Sequence, residues 1–232
     1  MSNILCIDTS ADICSVVLGN ETDGVLLERV SYQGRDHSTK AGVFVDEILT
    51  EAEQIDLKPE AIAVCSGPGS YTGLRIGVSL AKGLCYGYNL PLIALDSLKI
   101  MARQVADSVT LQPEAILCPM IDARRMEVYA SLWNAEMQLV KEPEAKIIDE
   151  EAYSEYAGRP FYYFGTGAEK CQELLGAFHY IPDLKPMAHA LLKPALEAFK
   201  ESAFEDLAYF EPFYLKQFQT TVSKKNVLGI KR

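Results

Sequence analysis

The sequence predicts an α/β fold in which helices cover mixed β-sheets. Short apolar runs, typical of buried strands, alternate with amphipathic segments along the 232 residues. Asp8 ends one apolar run and Asp122 ends another, and in each case a short turn leads into a further strand-like run. This repeated order of strand, Asp turn and strand indicates two lobes of related architecture.

The first half of the chain alternates strongly between the two patterns. Its predicted strands are residues 4–7, 14–18, 25–30, 61–65 and 92–95. Its predicted helices are residues 39–53, with Ser38 as the N-cap, 71–86 and 97–105.

The second half begins again with two predicted strands, 115–121 and 126–133, around a turn that starts at Asp122. A further strand, 161–164, leads into Gly165-Thr166-Gly167 and a predicted helix, and residues 187–200 and 205–210 are also predicted helices. Polar residues and Pro113 interrupt the pattern between 105 and 114. We therefore expect a first lobe at 1–106, a smaller second lobe at 107–216 and a basic tail at 217–232.

The charge distribution bears on nucleic-acid binding. With 22 basic and 32 acidic residues the net charge is −10, which argues against binding of RNA by the protein surface as a whole. Residues 217–232, in contrast, contain Lys224, Lys225, Lys231 and Arg232 and no acidic residue. This tail has two interpretations, a solvated terminus or an arm that docks on a partner or on RNA.

The six cysteines show no C-x-x-C pair and no cluster with histidine, so we expect reduced thiols in the core and no metal site. The first residues lack a basic region followed by an apolar run, and no apolar stretch is long enough for a membrane helix. We therefore expect a cytoplasmic protein.

The most informative segment runs from Ser66 through Leu84. A buried strand enters a Gly-Pro-Gly turn and then a helix whose interior contains Gly73, Gly77 and Gly83. Each glycine costs about 1 kcal/mol relative to alanine. Gly73, Gly77 and Ala81 recur every fourth residue and form a face that permits the close approach of another backbone.

When its residues are plotted at 100° steps, this helix carries apolar or small side chains over a wide arc. The arc is more than twice as wide as the apolar stripe of an ordinary amphipathic helix. Such a helix must be buried on two sides. Its own sheet provides one side, and the other is either more of this chain or another subunit.

Several blocks of this sequence resemble the TsaB family, also called YeaZ, in order along nearly the whole chain. They are Ile7-Asp8-Thr9-Ser10, Ser66-Gly-Pro-Gly-Ser-Tyr-Thr-Gly-Leu-Arg-Ile-Gly, Ala81-Lys-Gly-Leu, Pro91-Leu-Ile, Ile121-Asp-Ala-Arg and Tyr214-Leu-Lys. The resemblance implies an actin-like fold of the Hsp70 and sugar-kinase superfamily, with two lobes and mixed sheets flanked by helices.

The resemblance also implies partners. Family members bind the catalytic paralogue TsaD and, with the ATPase TsaE, support the formation of threonylcarbamoyladenosine at position 37 of tRNA. We also expect this chain to form a homodimer when it is alone, and to contact tRNA only indirectly or through the basic tail. The implied interface residues are His37, Val43, Phe44, Tyr71, Thr72, Gly73, Leu74, Arg75, Gly77, Val78, Leu80 and Ala81.

In the catalytic paralogue, a strand similar to Pro91-Leu92-Ile93 is followed by a pair of metal-binding histidines. Ser97 and Met101 stand at the corresponding positions here, and neither a hydroxyl nor a thioether replaces imidazole as a ligand for a borderline divalent ion. The resemblance therefore implies a pseudoenzyme, with no catalytic and no metal-binding residues.

Nucleotide binding is a separate question. The residues that would form the phosphate turns and the adenosine loop of an actin-like fold are Asp8, Thr9, Ser10, Asp122, Gly165 and Gly167. The same residues also suit inherited turn geometry, with Asp and Ser as caps and glycine at positive φ. We expect ATP or ADP only in a complex with partners.

Two other functions remain as alternatives to a partner subunit. One is an ATP-dependent small-molecule kinase on the same fold, which requires both phosphate turns and a catalytic carboxylate. The other is a homodimer without a further partner. His37, at the start of the first helix, is interpreted as an interface or capping residue and not as a general base, because no nucleophile accompanies it in the sequence.

Overall fold

The computed structural model describes residues 2–34 and 36–216, so the predicted basic tail lies outside the described residues. The first sheet contains β1 (Ile4–Asp8), β2 (Cys14–Asn20), β3 (Gly24–Ser31), β4 (Ala61–Gly67) and β5 (Leu92–Asp96). Its strand order is β3-β2-β1-β4-β5, with β1 antiparallel to β2 and parallel to β4.

The second sheet repeats this arrangement with β6 (Ile116–Asp122), β7 (Glu127–Asn134), β8 (Leu139–Ile147), β9 (Phe161–Phe164) and β10 (His179–Ile181). Its order is β10-β9-β6-β7-β8, and β6 is antiparallel to β7 and parallel to β9. The equivalent order and direction of the strands confirm the predicted α/β fold with two related, mixed sheets.

Four α-helices pack on these sheets within the described ranges: α1 (His37–Gln54), α2 (Tyr71–Tyr88), α3 (Ser97–Ser108) and α4 (Ala188–Lys200). Helices α1 and α2 share an apolar core with one face of the first sheet, and α4 covers its other face. Helix α3 packs mainly against the second sheet, while its Ile100 joins the cluster around α4, so α3 lies between the two sheets. None of the described helices combines the length and the apolar character that are needed to cross a membrane.

The position of α4 corrects the predicted extent of the second lobe. Residues 107–216 were expected to form that lobe, but α4 contacts β1, β2, β4 and β5 of the first sheet. Its buried Leu191, Ala195 and Leu196 supply the apolar surface that the far face of this sheet requires. The chain therefore returns to the first lobe after β10.

Residues 203–216, which we call the C-terminal strap, follow α4 and are not helical, contrary to the predicted helix at 205–210. The backbone N–H of Glu205 donates to the Leu92 carbonyl oxygen at 2.9 Å, and that of Phe213 donates to the Ser66 carbonyl oxygen at 2.8 Å. The strap thus satisfies backbone groups along the β5 side of the first sheet, and hydrogen bonds to that sheet replace those of a helix.

Three smaller predictions also differ from the structure. The N-cap of α1 is Asp36 and not Ser38. The helix expected after Gly167 is a single 3₁₀ turn at Glu169–Cys171. Strands β8 and β10 were not predicted.

All six cysteines are free and buried, as predicted for core thiols. Removal from water disfavours the thiolate, and burial raises the pKa of Cys85 to about 11. For Cys14, burial first and then the charges of Asp36 and Asp8 raise the pKa to about 12.

We expect the native protein to resist a thiol-specific reagent at mildly alkaline pH, because the buried thiols are neither ionised nor accessible. After unfolding in guanidinium chloride, all six cysteines should react. Counting modified thiols by mass spectrometry before and after unfolding checks this expectation, and rapid labelling of the native chain would contradict it.

Candidate functional site

Helix α2 dominates the candidate site and has well-defined ends. The Ser70 hydroxyl oxygen accepts a hydrogen bond from the Gly73 backbone N–H at 3.3 Å, as expected of an N-cap. Asn89 ends the helix in the left-handed conformation, with φ of 54°, and its N–H bonds to the Cys85 carbonyl oxygen. These caps hold the 18 residues of α2 against the first sheet.

The glycine face of α2 packs against the turn between β1 and β2. A Cβ atom on Gly73 would lie 2.0 Å from the Thr9 carbonyl oxygen, and one on Gly77 would lie 2.3 Å from the Thr9 hydroxyl oxygen. That hydroxyl donates to the Gly73 carbonyl oxygen at 2.7 Å. Thr9 of the same chain therefore fills the space that Gly73 and Gly77 leave, and the close approach predicted for this face is made within the chain.

The structure divides the predicted interface residues into three groups. The residues of the first group are buried within the chain: His37, Phe44, Gly73, Leu74, Gly77, Val78 and Ala81. The second group contacts the C-terminal strap. The Tyr71 ring lies 4.7 Å from that of Tyr214, and the Arg75 guanidinium lies over the Tyr71 ring. In the third group, Val43 and Thr72 are exposed, and Leu80 is half-buried and packs partly against the core of the first lobe.

Thr72 and Leu80 belong to an uncharged face of α2 whose residues are exposed or half-buried. We call it the α2 outer stripe, and it consists of Thr72, Ile76, Ser79, Leu80, Gly83 and Gly87. At 100° per residue its members lie within one 100° arc. Helix α1 packs beside α2 and adds Val43, which is 49% exposed.

Four members of the stripe, Ile76, Ser79, Gly83 and Gly87, were not among the predicted residues. Nothing in the described chain lies within 4 Å of a Cβ atom placed on Gly83 or Gly87. These two glycines therefore differ from Gly73 and Gly77, since no intramolecular contact requires them. The helical wheel contains this signal, because at 100° per residue it places Gly83 and Gly87 about 80° and 40° from Gly73, on the side away from Ala81.

His37 stabilises the start of α1 from inside the chain. Its Nε2 lies 2.6 Å from the Ala11 carbonyl oxygen and donates to it, since a carbonyl can only accept. Its Nδ1 lies 3.8 Å from a carboxylate oxygen of Asp36. The Nε2 hydrogen bond ties the start of α1 to the turn between β1 and β2 and is not a helix cap, and the His37 ring is buried.

The side chains of the first predicted phosphate turn form hydrogen bonds with each other and with the backbone of the turn. Oδ1 of Asp8 accepts from the backbone N–H and the hydroxyl of Ser10 at 2.8 and 2.7 Å. Asp8, Thr9 and Ser10 are all buried. Burial raises the pKa of Asp8, and the hydrogen bonds from Ser10 and the charges of His37 and His189 oppose this effect. These side chains fix the turn that meets α2.

The second predicted phosphate turn is also engaged within the chain. The Lys170 ammonium group forms an ion pair with Asp122 and donates to the Glu127 carbonyl oxygen at 2.7 Å. A Cβ atom on Gly165 would lie 2.4 Å from the Met120 carbonyl oxygen, and one on Gly167 would lie 2.9 Å from Ile121. Both glycines therefore serve the packing of their loop on β6.

The two residues at the positions of the paralogue's histidines are buried. The Ser97 hydroxyl donates to the Pro68 carbonyl oxygen at 2.5 Å. Met101 is fully buried in the apolar cluster between α3 and the second sheet. Both side chains therefore contribute to packing around the Gly-Pro-Gly turn and α3. Within residues 2–34 and 36–216, no group of three His, Cys, Asp or Glu side chains is placed to hold a metal ion.

Comparison with known proteins identifies the family. A family model described as TsaD, tRNA N6-adenosine threonylcarbamoyltransferase, matches residues 20–229. An Escherichia coli relative, named tRNA threonylcarbamoyladenosine biosynthesis protein TsaB, is 30% identical over 226 residues, which are 92% of this chain and 94% of the relative. The chain belongs to the TsaB family. A TsaB protein of Bacillus subtilis is 34% identical over 139 residues, covering 60% of this chain and 58% of that protein.

A solved TsaB-family structure supports the fold. YeaZ from Pseudomonas aeruginosa superimposes with a TM-score of 0.75 and 26% sequence identity, covering 93% of this chain and 100% of that chain. This similarity and the two mixed sheets confirm the predicted actin-like fold.

The two kinds of glycine in α2 should respond differently to substitution by alanine. Gly77→Ala should lower the free energy of unfolding by about 1–3 kcal/mol, because the new methyl group collides with Thr9. Gly83→Ala should raise it by about 0.5–1 kcal/mol, because it improves helix propensity without a clash. Urea denaturation of both variants measures the difference, and equal effects would contradict the assigned packing.

The buried carboxyl of Asp8 should make stability depend on pH. Because its pKa is raised, the folded state holds this proton to higher pH than the unfolded chain does. The resulting stabilisation is complete below the usual pKa of about 3.9 and is lost as the pH rises through the folded-state pKa. Relative to Asp8→Asn, which keeps an oxygen acceptor for Ser10, the native chain should become less stable over the range of pH above about 4. Urea denaturation across this range measures the difference, and a constant gap between the two proteins would contradict the assignment.

Proposed function

We propose that this chain is a non-catalytic subunit that binds a TsaD-type paralogue and, with a TsaE-type ATPase, supports the formation of threonylcarbamoyladenosine in tRNA. Family membership places the chain among proteins named for the biosynthesis of this modification. The TsaD-type paralogue is the principal partner in the proposal, and the contact with the ATPase follows from the family resemblance alone.

The observation on which the proposal depends is the α2 outer stripe. Its six residues are exposed or half-buried and none of them is charged, although charged residues make up 23% of the chain. Exposed faces of this kind are typical of protein interfaces, whose centres are depleted in charge. Gly83 and Gly87 would allow a helix of the partner to approach closely.

The contacts of four residues support the proposed non-catalytic role. These residues stand at the positions of the paralogue's histidines and in the two predicted phosphate turns. Ser97 and Met101 are used in packing, Asp8 is turned into the first lobe, and Asp122 is paired with Lys170. The alternative of a small-molecule kinase requires a catalytic carboxylate and two phosphate turns that face a cleft, whereas among the described residues Asp8 is buried and Asp122 is paired with Lys170.

Homodimerisation uses the same surface in this proposal. An uncharged stripe can pack against a second copy of itself when the paralogue is absent. The paralogue and the second copy therefore compete for α2, and the heterodimer should form at the expense of the homodimer.

Gly83→Arg tests the surface. Nothing lies within 4 Å of the new Cβ atom, so the chain should fold, but an unpaired charge would enter the interface at a cost of about 3–5 kcal/mol. We expect affinity for the TsaD-type paralogue, measured by size-exclusion chromatography and titration calorimetry, to fall at least about a hundredfold. Ile147→Arg, at a residue 67% exposed on β8, is the matched control and should bind normally.

Reconstitution tests the role in the reaction. Purified paralogue, ATPase, substrates and tRNA should yield the modified nucleoside only when this chain is added, and Gly83→Arg should lower the yield. A chain that never co-elutes with the paralogue, or that transfers the threonylcarbamoyl group by itself, would overturn the proposal.

A further inference from the structure

A cavity of about 350 Å³ lies between α3 and α4. Helix α3 packs mainly against the second sheet and α4 covers the first, so the cavity lies where the two lobes meet. Ile100, Leu184 and Pro194 give it an apolar lining. Its volume is at the lower end of the range for small-molecule sites, which typically combine an apolar lining with a few polar groups.

Charged side chains from both helices meet at this cavity. The Lys193 ammonium group of α4 donates to Oδ2 of Asp107 on α3 at 2.8 Å, and Nε of Arg103 donates to Oδ1 of the same carboxylate at 3.1 Å. The hydrogen bond from Lys193 lowers the pKa of Asp107, and the charge of Arg103 acts in the same direction. Nδ1 of His189, another residue of the lining, lies 3.5 Å from a carboxylate oxygen of Glu28. At neutral pH the cavity is therefore lined by one carboxylate and two permanent cations.

The charges of this group are balanced. Arg103 also pairs with Glu197 at 3.4 Å, so two cations face two carboxylates. A simple anion that displaced Asp107 from Lys193, or a simple cation that displaced Lys193, would leave the other member of the pair without a partner. A zwitterion supplies a new partner to both members of the pair that it separates. All four side chains are partly exposed, so their present pairing contributes little to stability and is easily exchanged.

Two further oxygen acceptors at the cavity lack their usual donors. Oε1 of Gln104 is buried and accepts no hydrogen bond from the described residues. The terminal torsion of glutamine has a broad energy profile, so a rotation can turn this oxygen towards the cavity that the residue lines. Pro194 has no N–H, and the Ala190 carbonyl oxygen one turn before it therefore lacks the usual helical donor. An ammonium group, with three N–H donors, suits these two oxygens and a carboxylate.

We propose that the cavity between α3 and α4 binds a small zwitterion, a free α-amino acid with an apolar side chain. Its carboxylate binds Lys193 and Arg103. Its ammonium group binds Asp107 and Oε1 of Gln104, and its side chain contacts the apolar lining. Because α3 packs on the second sheet and α4 on the first, the bound ligand contacts both lobes and stabilises their relative position. The site is separate from the α2 outer stripe and does not depend on the proposed function.

Three probes of similar shape test the class of ligand. L-Leucine carries both charges, isocaproate carries only the carboxylate, and isoamylamine carries only the ammonium group. We expect the purified chain to bind L-leucine with a Kd on the order of 0.1–1 mM and the other two probes at least about tenfold more weakly, as measured by titration calorimetry and ligand-observed NMR. Equal affinity for all three probes, or no saturable binding of L-leucine up to about 10 mM, would overturn the inference.

Two substitutions at exposed side chains locate the site. Asp107→Asn removes the acceptor of the ammonium group and frees two cations, so the affinity for L-leucine should fall about tenfold while the affinity for isocaproate rises. A residue with only a structural role would not exchange the preference between the two probes. Lys193→Gln removes a partner of the carboxylate, so it should weaken both L-leucine and isocaproate about tenfold.

Lys200→Gln is the matched control. It removes another exposed lysine of α4 that pairs with an acidic residue, Glu21, and that does not line the cavity. The Kd for L-leucine should be unchanged in this variant. An unchanged Kd in both Asp107→Asn and Lys193→Gln, or an equal loss in Lys200→Gln, would show that the ligand binds elsewhere and would overturn the inference. None of these measurements involves the paralogue, so this inference and the proposed function can fail separately.

Discussion

The contact between Thr9 and the glycine face of α2 is the constraint on which the first lobe depends. The carbonyl and hydroxyl oxygens of Thr9 occupy the space where Gly73 and Gly77 lack side chains, and the hydroxyl bonds to the helix backbone. This contact fixes α2 against the end of β1. Because the helix cannot rotate about its axis without breaking it, the contact also decides which residues of α2 face solvent.

Most of the fold was predictable because its central strands are buried on both faces. Residues of β1 and β4 form continuous apolar runs, which are easily recognised. Strand β8 was not predicted because it lies at the edge of its sheet, has no buried residue and contains Pro143 among charged residues. Strand β10 has only three residues. The local sequence predicts a helix at 205–210, but the strap forms instead because Glu205 bonds to Leu92 of β5, a strand far away in the sequence.

The candidate site was predictable only in part, because its exposed surface depends on contacts between residues that are distant in the sequence. The helical wheel shows that α2 is apolar over a wide arc, but it does not show which part of the arc its own chain covers. Thr9 covers the glycine face, and Leu207 and Phe210 of the strap pack against the same core. The exposed remainder is shifted away from Gly77 and towards Gly83. Glycines alone thus indicate a close approach without identifying the approaching group.

The strap also joins the two sheets mechanically. Its Phe213 is hydrogen-bonded to Ser66 beside the start of α2, and three residues later Lys216 is paired with Glu127 of β7. A hinge motion that separates the lobes must either break this ion pair or pull on the segment that precedes α2. A displacement of the β6–β7 hairpin is therefore passed through Lys216 and the three residues before it to the segment that precedes α2.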